Sequence, residues 1–392
     1  MKSEWKTIRA ADFMEFNPRM NLKKGTIATK ISMDKLQPYT KKIPETEQAE
    51  FSGGTKFSNS DTIMARITPC LENGKTAFVD CLNKDEVAFG STEFIVLRAK
   101  PGVSDAQFVY YLATSPEFRQ VAIKSMVGSS GRQRVQQPVL ENLELVVPEL
   151  PKQKRIGGFL AAIDDKIALN AKINDNLEQQ AATYFQELFI NNANPVWQIS
   201  TISDLGTVVG GSTPSKTKPE YYTNNGIAWI TPKDLSINKS KFISHGENDI
   251  TELGLKNSSA TVMPKGTVLF SSRAPIGYIA IASNEVTTNQ GFKSVIPYSE
   301  IGTAFVYFFL KHSLPVIESA ASGSTFKEIS GSAMKNIPAI IPDRNTLDQF
   351  NSFCAPIFAQ QKILEEQNHS LAMLRDSLLP KLMSGAIDIA SI

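Results

Sequence analysis

A glycine-rich loop in the first half of the chain carries side chains that can read a polar surface. Its sequence is Gly128-Ser-Ser-Gly-Arg132-Gln133-Arg134. Arg and Gln side chains form paired hydrogen bonds with base edges in the major groove of DNA, while amides and hydroxyls bind phosphate oxygens. The alternative is an ordinary turn before a strand. The residue types favour DNA contact through Arg132, Gln133 and Arg134.

Similar side chains recur in the second half of the chain and at the ends of predicted strands. The segment Ser322-Gly-Ser-Thr-Phe-Lys327 has the character of the first loop, and Arg66 and Arg273 follow strands that we take as equivalent. For each of these residues the alternative is a solvated surface side chain. The further candidates for DNA contact are Arg66, Lys233, Arg273, Asn289, Gln290, Lys293 and Lys327.

Catalytic and metal-binding patterns are missing from the sequence. Gly74-Lys75-Thr76 resembles the end of a phosphate-binding loop, but Pro69 stands where that loop requires its first glycine. Asp164 and Asp165 are expected on a solvated helix face rather than in a nuclease site. No zinc site or disulfide framework is indicated, because these residues are isolated from one another: His245, His312, His369, Cys70, Cys81 and Cys354. A protein without catalytic activity of its own is expected.

Two long segments have the apolar spacing of helices that pair along a seam. Apolar or small residues recur at spacings of four and three from Leu150 to Leu188, and again from Thr346 to Met383. The seam residues expected to pair are Ile156, Leu160, Ile163, Ile167, Asn170, Asn174, Leu177, Ile357, Leu364, Asn368, Leu371 and Leu378. The asparagines are expected to set the register, because a polar seam residue disfavours slipped pairings.

Start and stop signals bound these two helices. Pro151 suits the first turn of the first helix, and Thr346–Gln349 has the pattern of a capping box for the second. Pro356 lacks a backbone donor and predicts a kink or a restart inside the second helix. Gly385 is suited to a position just after the second helix ends.

The globular segments that precede the two helices are related to each other. Trp5-Lys-Thr-Ile-Arg-Ala-Ala-Asp-Phe13 resembles Trp197-Gln-Ile-Ser-Thr-Ile-Ser-Asp-Leu205, and Phe108-Val-Tyr-Tyr-Leu112 resembles Phe305-Val-Tyr-Phe-Phe309. The sequence therefore predicts a tandem duplication with pseudo-two-fold symmetry. We expect α+β class: two mixed domains at 1–149 and 191–344, and two helices at 150–190 and 345–392 that pair as an antiparallel coiled coil.

Composition and charge set broad limits. The chain has 392 residues, a formal net charge of +2 and three cysteines. This permits nucleic-acid binding through local patches but does not require it. The opening MKSEWKTIRA has no apolar signal segment, and the longest apolar run, Phe305–Leu310, is too short to span a bilayer. The simplest expectation is a cytoplasmic protein.

Several short stretches, in their order along the chain, resemble one protein family. The stretches are Lys154-Arg-Ile156, Ile163-Asp-Asp-Lys-Ile167, Gly211-Ser-Thr-Pro-Ser215, Gly226-Ile-Ala-Trp-Ile-Thr-Pro-Lys-Asp-Leu235 and Leu378-Leu-Pro-Lys-Leu-Met-Ser-Gly385. Together with the duplication, they resemble the DNA-specificity subunits of type I restriction-modification systems. The resemblance covers essentially the whole chain.

This resemblance implies a division of labour. Each globular segment would be a target-recognition domain that reads one half of a split, asymmetric sequence in double-stranded DNA. The helices would separate the domains and dock two methyltransferase subunits, which bring S-adenosylmethionine. Motor-nuclease subunits would join with ATP and Mg²⁺. The chain itself would hold no cofactor and no metal, and would not bind a membrane.

A second class of function stays open from the sequence. The chain could be a coiled-coil adaptor that binds a non-DNA partner through its two globular domains. Steep weakening of duplex binding with added salt would favour DNA recognition, because neutralising phosphates releases counterions. The absence of such binding in the assembled complex would favour the adaptor.

Overall fold

The chain folds into two units that share two long helices. The structure, a computed structural model, describes residues 5–129, 131–323 and 327–391. The first unit consists of residues 1–169 and 368–392, and the second consists of residues 170–367. Each long helix therefore contributes one half to each unit.

Short runs rich in β-branched and aromatic residues form the strands of the first unit. These are β1 (Trp5–Arg9), β2 (Met14–Phe16), β3 (Ile27–Ile31), β4 (Glu47–Glu50), β5 (Thr55–Phe57), β6 (Thr62–Ala65), β7 (Thr76–Phe78), β8 (Ala88–Gly90), β9 (Phe94–Ala99) and β10 (Glu144–Pro148). The helices are α1 (Ala10–Phe13), α2 (Ala106–Thr114), α3 (Pro116–Lys124), α4 (Gln137–Glu141) and the long α5 (Leu150–Gln186). The strands form the pair β1-β10 and the sheets β2-β9-β6-β7 and β4-β3-β8-β5.

The second unit repeats this plan. Its strands are β11 (Gln198–Thr201), β12 (Gly206–Gly210), β13 (Tyr222–Thr223), β14 (Ile227–Ile230), β15 (Phe242–Ile243), β16 (Asn248–Ile250), β17 (Val268–Ser272), β18 (Ile276–Ala282), β19 (Thr287–Thr288), β20 (Lys293–Pro297) and β21 (Pro338–Ile341). The helices are α6 (Pro232–Ile237), α7 (Glu252–Lys256), α8 (Thr303–His312), α9 (Leu314–Ser319), α10 (Gly331–Lys335) and the long α11 (Arg344–Met383). The sheets are β11-β21, β12-β20-β17-β18-β15 and β13-β16-β14-β19.

Matching sheets confirm the predicted duplication and the mixed α and β class. In each unit the first strand pairs antiparallel with the last, as Trp5 does with Pro148 and Gln198 with Ile341. In each unit a mainly antiparallel central sheet packs against a helix, α2 or α8; in the second unit the edge strand β15 pairs parallel with β18. The repeated words in the sequence therefore mark repeated packing positions.

The two long helices pair in antiparallel fashion within each unit. In the first unit Asn368 Nδ2 donates to the Ile167 carbonyl at 3.2 Å, and Arg375 contacts Asp164 at 2.6 Å. Residue numbers thus fall along α5 as they rise along α11. Asp164 has a side chain only 5% exposed, so its expected place on a solvated face is wrong. The partner that removes it from water, Arg375, lies more than two hundred residues away in sequence.

Polar side chains pair across the helices of the second unit as well. Asn174 Nδ2 donates to the Gln361 carbonyl at 3.3 Å, and Gln361 Nε2 donates to the Asn174 carbonyl at 3.1 Å. Asn170 Nδ2 lies 3.4 Å from Gln367 Oε1. The buried seam residues are Ile156, Leu160, Ile163, Asn170, Ile357 and Leu364. The half-buried ones are Ile167, Asn174, Leu177, Asn368, Leu371 and Leu378.

The start of α11 differs from the expectation. The helix begins at Arg344, and the carboxylate of Asp343 accepts hydrogen bonds from the Thr346 amide and hydroxyl at 3.0 and 2.9 Å. The predicted capping box at Thr346 is wrong, because Thr346 already lies inside the first turn. The helix also continues through Pro356 without a restart. Gly385 follows its end with a φ of +71°, a conformation that glycine adopts without strain.

Candidate nucleic-acid interface

The glycine-rich loop of the first unit projects from a small antiparallel ladder. Arg134 forms β-bridges with Val127 and with Ile67, so the chain between 127 and 134 turns back on itself beside the end of β6. Arg132 is exposed and its amide donates to the Ser129 carbonyl at 3.0 Å. Ser130 lies outside the described residues. The loop is therefore held at its base and presents Arg132 to solvent.

Arg134 is fixed by a carboxylate that the sequence did not single out. Its Nε and one terminal nitrogen lie 2.9 and 2.6 Å from the two oxygens of Glu93. The hydrogen bonds from Arg134 hold the pKa of Glu93 below its usual range. The Arg134 side chain remains 46% exposed. Two paired bonds fix a planar guanidinium strongly, so Arg134 presents its remaining edge in a set direction.

The other two candidates of this unit are less accessible. Arg66 is half-buried, and a terminal nitrogen of its side chain donates to the Val135 carbonyl at 3.3 Å. Gln133 is also half-buried, and its carbonyl accepts from the Thr68 amide at 3.0 Å. These bonds link the chain just after β6 to the end of the loop, at Gln133, and to Val135, which follows the loop. Their contact with DNA stays a prediction.

A surface cleft of about 500 Å³ gathers several candidates of the second unit. Lys233, Arg273, Asn289 and Gln290 all line it, although they come from separate segments of the chain. Trp229 forms part of the wall, and its indole nitrogen donates to the Ser212 carbonyl at 3.0 Å. An opening of this kind, with cationic and amide side chains around it, can accept a base edge or a phosphate.

Local hydrogen bonds set the shape of this cleft. The Asp234 carboxylate accepts from the Thr231 amide at 2.7 Å and from its hydroxyl at 2.6 Å, which caps α6 and fixes Lys233 in its first turn. Lys233 in turn lies 2.6 Å from Glu247. The side chain of Gln290 bonds to the Thr213 hydroxyl. The capping box of Thr231 and Asp234 is a pattern in the sequence from which this site could have been predicted.

Arg273 and Lys293 share one carboxylate in the second unit. Glu328 lies 3.3 Å from Arg273 and 3.8 Å from Lys293. Lys327 is exposed beside it. Ser324, Thr325 and Phe326 lie outside the described residues. The candidates of this unit thus fall into two neighbouring groups, one in the cleft and one around Glu328, and Arg273 belongs to both.

The two units share one set of β-bridges and backbone hydrogen bonds, the shared framework, but carry opposite charges at one of its positions. Ile67 bridges to Arg134 in the first unit, and Arg273 bridges to Glu328 in the second. The amide of Val135 donates to the Arg66 carbonyl, as the amide of Ile329 does to Ser272. The hydrogen-bonding pattern therefore makes Arg273 of the second unit the counterpart of Ile67 in the first. Ser272 is likewise the counterpart of Arg66. Arg66 and Arg273 follow equivalent strands as expected, but their positions in this hydrogen-bonding pattern differ by one residue.

No cluster of three or more His, Cys, Asp or Glu side chains suited to a metal ion occurs in residues 5–129, 131–323 and 327–391. Over the same residues, no helix combines the length and the apolar character needed to cross a membrane.

Two copies of one α/β domain, each with an ion-paired polar edge and each joined to a shared helix pair, define a duplicated recognition scaffold. Comparison with known proteins gives the family. The chain belongs to the family described as the type I restriction modification DNA specificity domain, which matches residues 2–179 and again residues 195–368.

Individual relatives agree with this membership. The specificity subunit of the type I restriction enzyme MjaIX from Methanocaldococcus jannaschii is 43% identical over 162 residues, or 41% of this chain and 37% of that protein. The match thus spans little more than a third of that relative's length. The specificity subunit of HindI from Haemophilus influenzae is 24% identical over 408 residues, covering 84% of this chain and 87% of that protein. A solved S subunit from M. genitalium supports the fold, with a TM-score of 0.57, 17% identity and 96% coverage of both chains.

Proposed function

We propose that this chain is the sequence-reading subunit of a type I restriction-modification complex. Each unit reads one half of a bipartite duplex, and the helix pair spaces the two readers. The observation that carries this proposal is the shared framework with opposite charges, where Arg134 in one unit stands at the place of Glu328 in the other. One framework with different side chains is what reading two different words requires.

The candidate side chains suit base reading. A guanidinium forms paired hydrogen bonds with guanine, and an amide does so with adenine, each contributing about 1–3 kcal/mol of discrimination. Arg134 offers the first chemistry, and Asn289 and Gln290 offer the second. Glu93 and Glu328 hold the arginines in fixed directions. Because a held side chain loses less conformational freedom on binding, such ion pairs sharpen discrimination.

Catalysis and cofactors belong to the partners in this proposal. Two methyltransferase subunits bring S-adenosylmethionine, and motor-nuclease subunits bring ATP and Mg²⁺. The helix pair offers apolar side chains for docking these subunits. Phe353 and Ile363 of α11 are 41% and 47% exposed, and Leu169 of α5 is 53% exposed. Apolar side chains on an otherwise polar helix surface are typical of protein contact sites.

The test uses the chain assembled with methyltransferase subunits from its host. Methylated adenines mapped across the host genome should define one bipartite motif, and a duplex carrying that motif should bind the complex. Binding should weaken about 10³–10⁵-fold between 50 and 200 mM salt if 6–10 phosphates are contacted. A duplex with both half-sites scrambled is the control. Salt-insensitive association, or no preference for the motif, would contradict the proposal and favour the adaptor.

A further inference from the structure

The second unit buries a lysine between its globular domain and both long helices. Lys241 precedes β15 and is 7% exposed. Its carbonyl accepts from the Ile281 amide at 2.7 Å, which ties it to β18. Its ammonium forms an ion pair with Glu178 of α5 and donates to Gln361 Oε1 of α11 at 2.6 Å. One side chain thus connects the sheet to both helices.

A second carboxylate accepts hydrogen bonds from the backbone at Lys241. The two oxygens of Glu365, on α11, accept from the amides of Lys241 and Phe242 at 2.8 and 3.1 Å. From α8, the Tyr307 hydroxyl donates to Glu178 at 3.2 Å, and Lys311 lies 2.5 Å from the same carboxylate. Two cations and two anions are therefore balanced across four elements.

Aromatic rings enclose the ammonium. Its nitrogen lies 4.1 Å from the ring centre of Phe358, 4.8 Å from Tyr307 and 5.5 Å from Phe308. Cations over ring faces at these distances are attracted electrostatically. The Lys241 side chain therefore has one favoured position.

The first unit has a lysine at the equivalent backbone position. The carbonyl of Lys41 accepts from the Phe78 amide at 2.9 Å, just as that of Lys241 accepts from Ile281. Lys41 is 2% exposed and lies 5.3 Å from the Phe78 ring centre. In this unit Tyr111 forms one of the bonds from domain to helix, because its hydroxyl donates to Asp164 at 2.5 Å. Both units thus join domain to helix through directional polar bonds inside an apolar contact.

Apolar packing alone would attach the domain to the helices at lower cost. Taking Lys241 and Glu178 out of water is penalised, and apolar residues of similar size would avoid that penalty. The polar cluster fixes the orientation of the domain on the helices, because hydrogen bonds and ion pairs weaken when the domain rotates. Apolar contact, in contrast, tolerates sliding.

We propose that Lys241 is a positioning residue that fixes the angle of the second recognition domain on its helices and so restricts the gap between half-sites. This inference rests on the proposed function. One added base pair turns a half-site by about 35° and moves it about 3.4 Å along the DNA axis. A domain held in one orientation cannot follow that change, whereas a loosened domain can.

The test is a charge-balanced double variant, Lys241→Met with Glu178→Gln, in the complex assembled with methyltransferase subunits. It removes one charge of each sign and leaves Lys311 and Glu365 in place. The probes are duplexes carrying the mapped half-sites at the native gap and at gaps one base pair longer or shorter. The control is Lys362→Met, which removes a half-buried cation paired with the exposed Glu366 one turn further along α11.

The double variant should lose at least about ten-fold of the wild-type preference for the native gap, while a substituted base in the second half-site costs as much as before. The control should keep both preferences. If the double variant does not fold, as thermal melting would reveal, Glu365→Gln should show a smaller loss of gap preference, since it keeps one acceptor for the two amides.

An unchanged gap preference in a folded variant would overturn the positioning role. A parallel loss of base discrimination would also overturn it, because that result indicates damage to the reading surface. A wild-type complex that reads its half-sites equally at every gap would exclude the role directly. A wild-type complex with no preference for the mapped motif would instead refute the proposed function, and the inference with it.

Discussion

Arg375 and Asp164 join the two long helices of the first unit, with 2.6 Å between their charged groups and side chains only 13% and 5% exposed. Tyr111 donates to the second oxygen of the same carboxylate at 2.5 Å. The charge pair thus joins helix to helix, and Tyr111 of α2 joins the globular domain to the same carboxylate. Removing one member leaves the other charged and out of water.

We therefore expect Arg375→Met to destabilise the first unit by about 3–5 kcal/mol, the usual cost of breaking a buried pair. Urea unfolding followed by hydrogen exchange would report the two units separately. The matched control is Arg344→Met, because Arg344 forms an exposed pair with Asp348 on the same helix and should change little. Equal effects of the two substitutions would contradict the importance of burial.

Replacing Arg132 and Arg134 together by alanine should impair reading of the first half-site only. Each lost base contact should cost about 1–3 kcal/mol of discrimination. Competition binding against duplexes with substitutions in either half would measure this. Arg9→Ala, which removes an exposed arginine paired with Asp12 elsewhere in the same unit, serves as the control. A change in discrimination at the second half-site would show that the loop does not read the first half-site alone.

Low pH should remove the stability that the ion pair between Arg134 and Glu93 contributes. Arg134 lowers the pKa of Glu93 in the folded protein, so this pair stabilises the fold above the unfolded pKa of about 4.3. That contribution is lost as the pH falls through the lower, folded pKa. Wild type should therefore lose more stability between about pH 6 and pH 3 than Glu93→Gln does, as urea unfolding at each pH would measure. Identical losses would exclude a contribution from the pair.

Replacing Asn170, Asn174 and Asn368 by leucine should raise the melting temperature and broaden the conformational distribution. Each asparagine bonds to a polar group on the opposite helix, and leucine would replace these directional bonds with apolar contact that tolerates slippage. Calorimetry and native ion mobility would measure the two effects. Asn176→Leu, at an exposed position of α5, is the control. No change in either quantity would refute the register role.

Lengthening both α5 and α11 should increase the number of base pairs between the two half-sites. The two units meet between residues 169 and 170 of α5 and between residues 367 and 368 of α11. Ile167 bonds to Asn368 and Asn174 bonds to Gln361, so these two breaks lie opposite each other. One heptad inserted at both breaks keeps the contacts within each unit and adds about 10 Å of helix. Mapped methylation should show the same half-site words with a gap about two to three base pairs longer. A four-residue insertion turns the seam away and should disrupt assembly, and an unchanged gap in an active heptad variant would exclude the spacing role.

The sequence predicted those parts of the fold that depend on local spacing. The seam from Ile156 onward follows from helical periodicity, and the duplication follows from repeated words such as those at Phe108 and Phe305. Asp164 was misplaced because its partner, Arg375, is remote in sequence, and a pair of acidic residues on a helix normally faces water. Asp343 was overlooked because Thr346 offered an equally good capping pattern.

The candidate site could be predicted in residue type but not in detail. Arg134 and the cleft residues stand out because guanidinium and amide groups suit base edges. Glu93 and Glu328 could not be found, since no local pattern distinguishes a carboxylate that orients an arginine from one that faces solvent. The one-residue offset between Arg66 and Arg273 depends on bridges that only the folded chain reveals. Lys241 was likewise hidden, because its partners Glu178 and Glu365 come from distant helices.

The first unit is built from two stretches of chain that flank the whole of the second. Leu379, Leu382 and Met383 complete the core around Phe108 and Leu160, yet the ribosome makes them only after residues 170–367. At about 5–20 residues per second, the delay is on the order of ten to forty seconds. The domain that is synthesised first is thus the last to be finished. Until then its apolar surface needs shelter from aggregation, and a nonsense mutation near residue 368 would remove part of the core of the first unit.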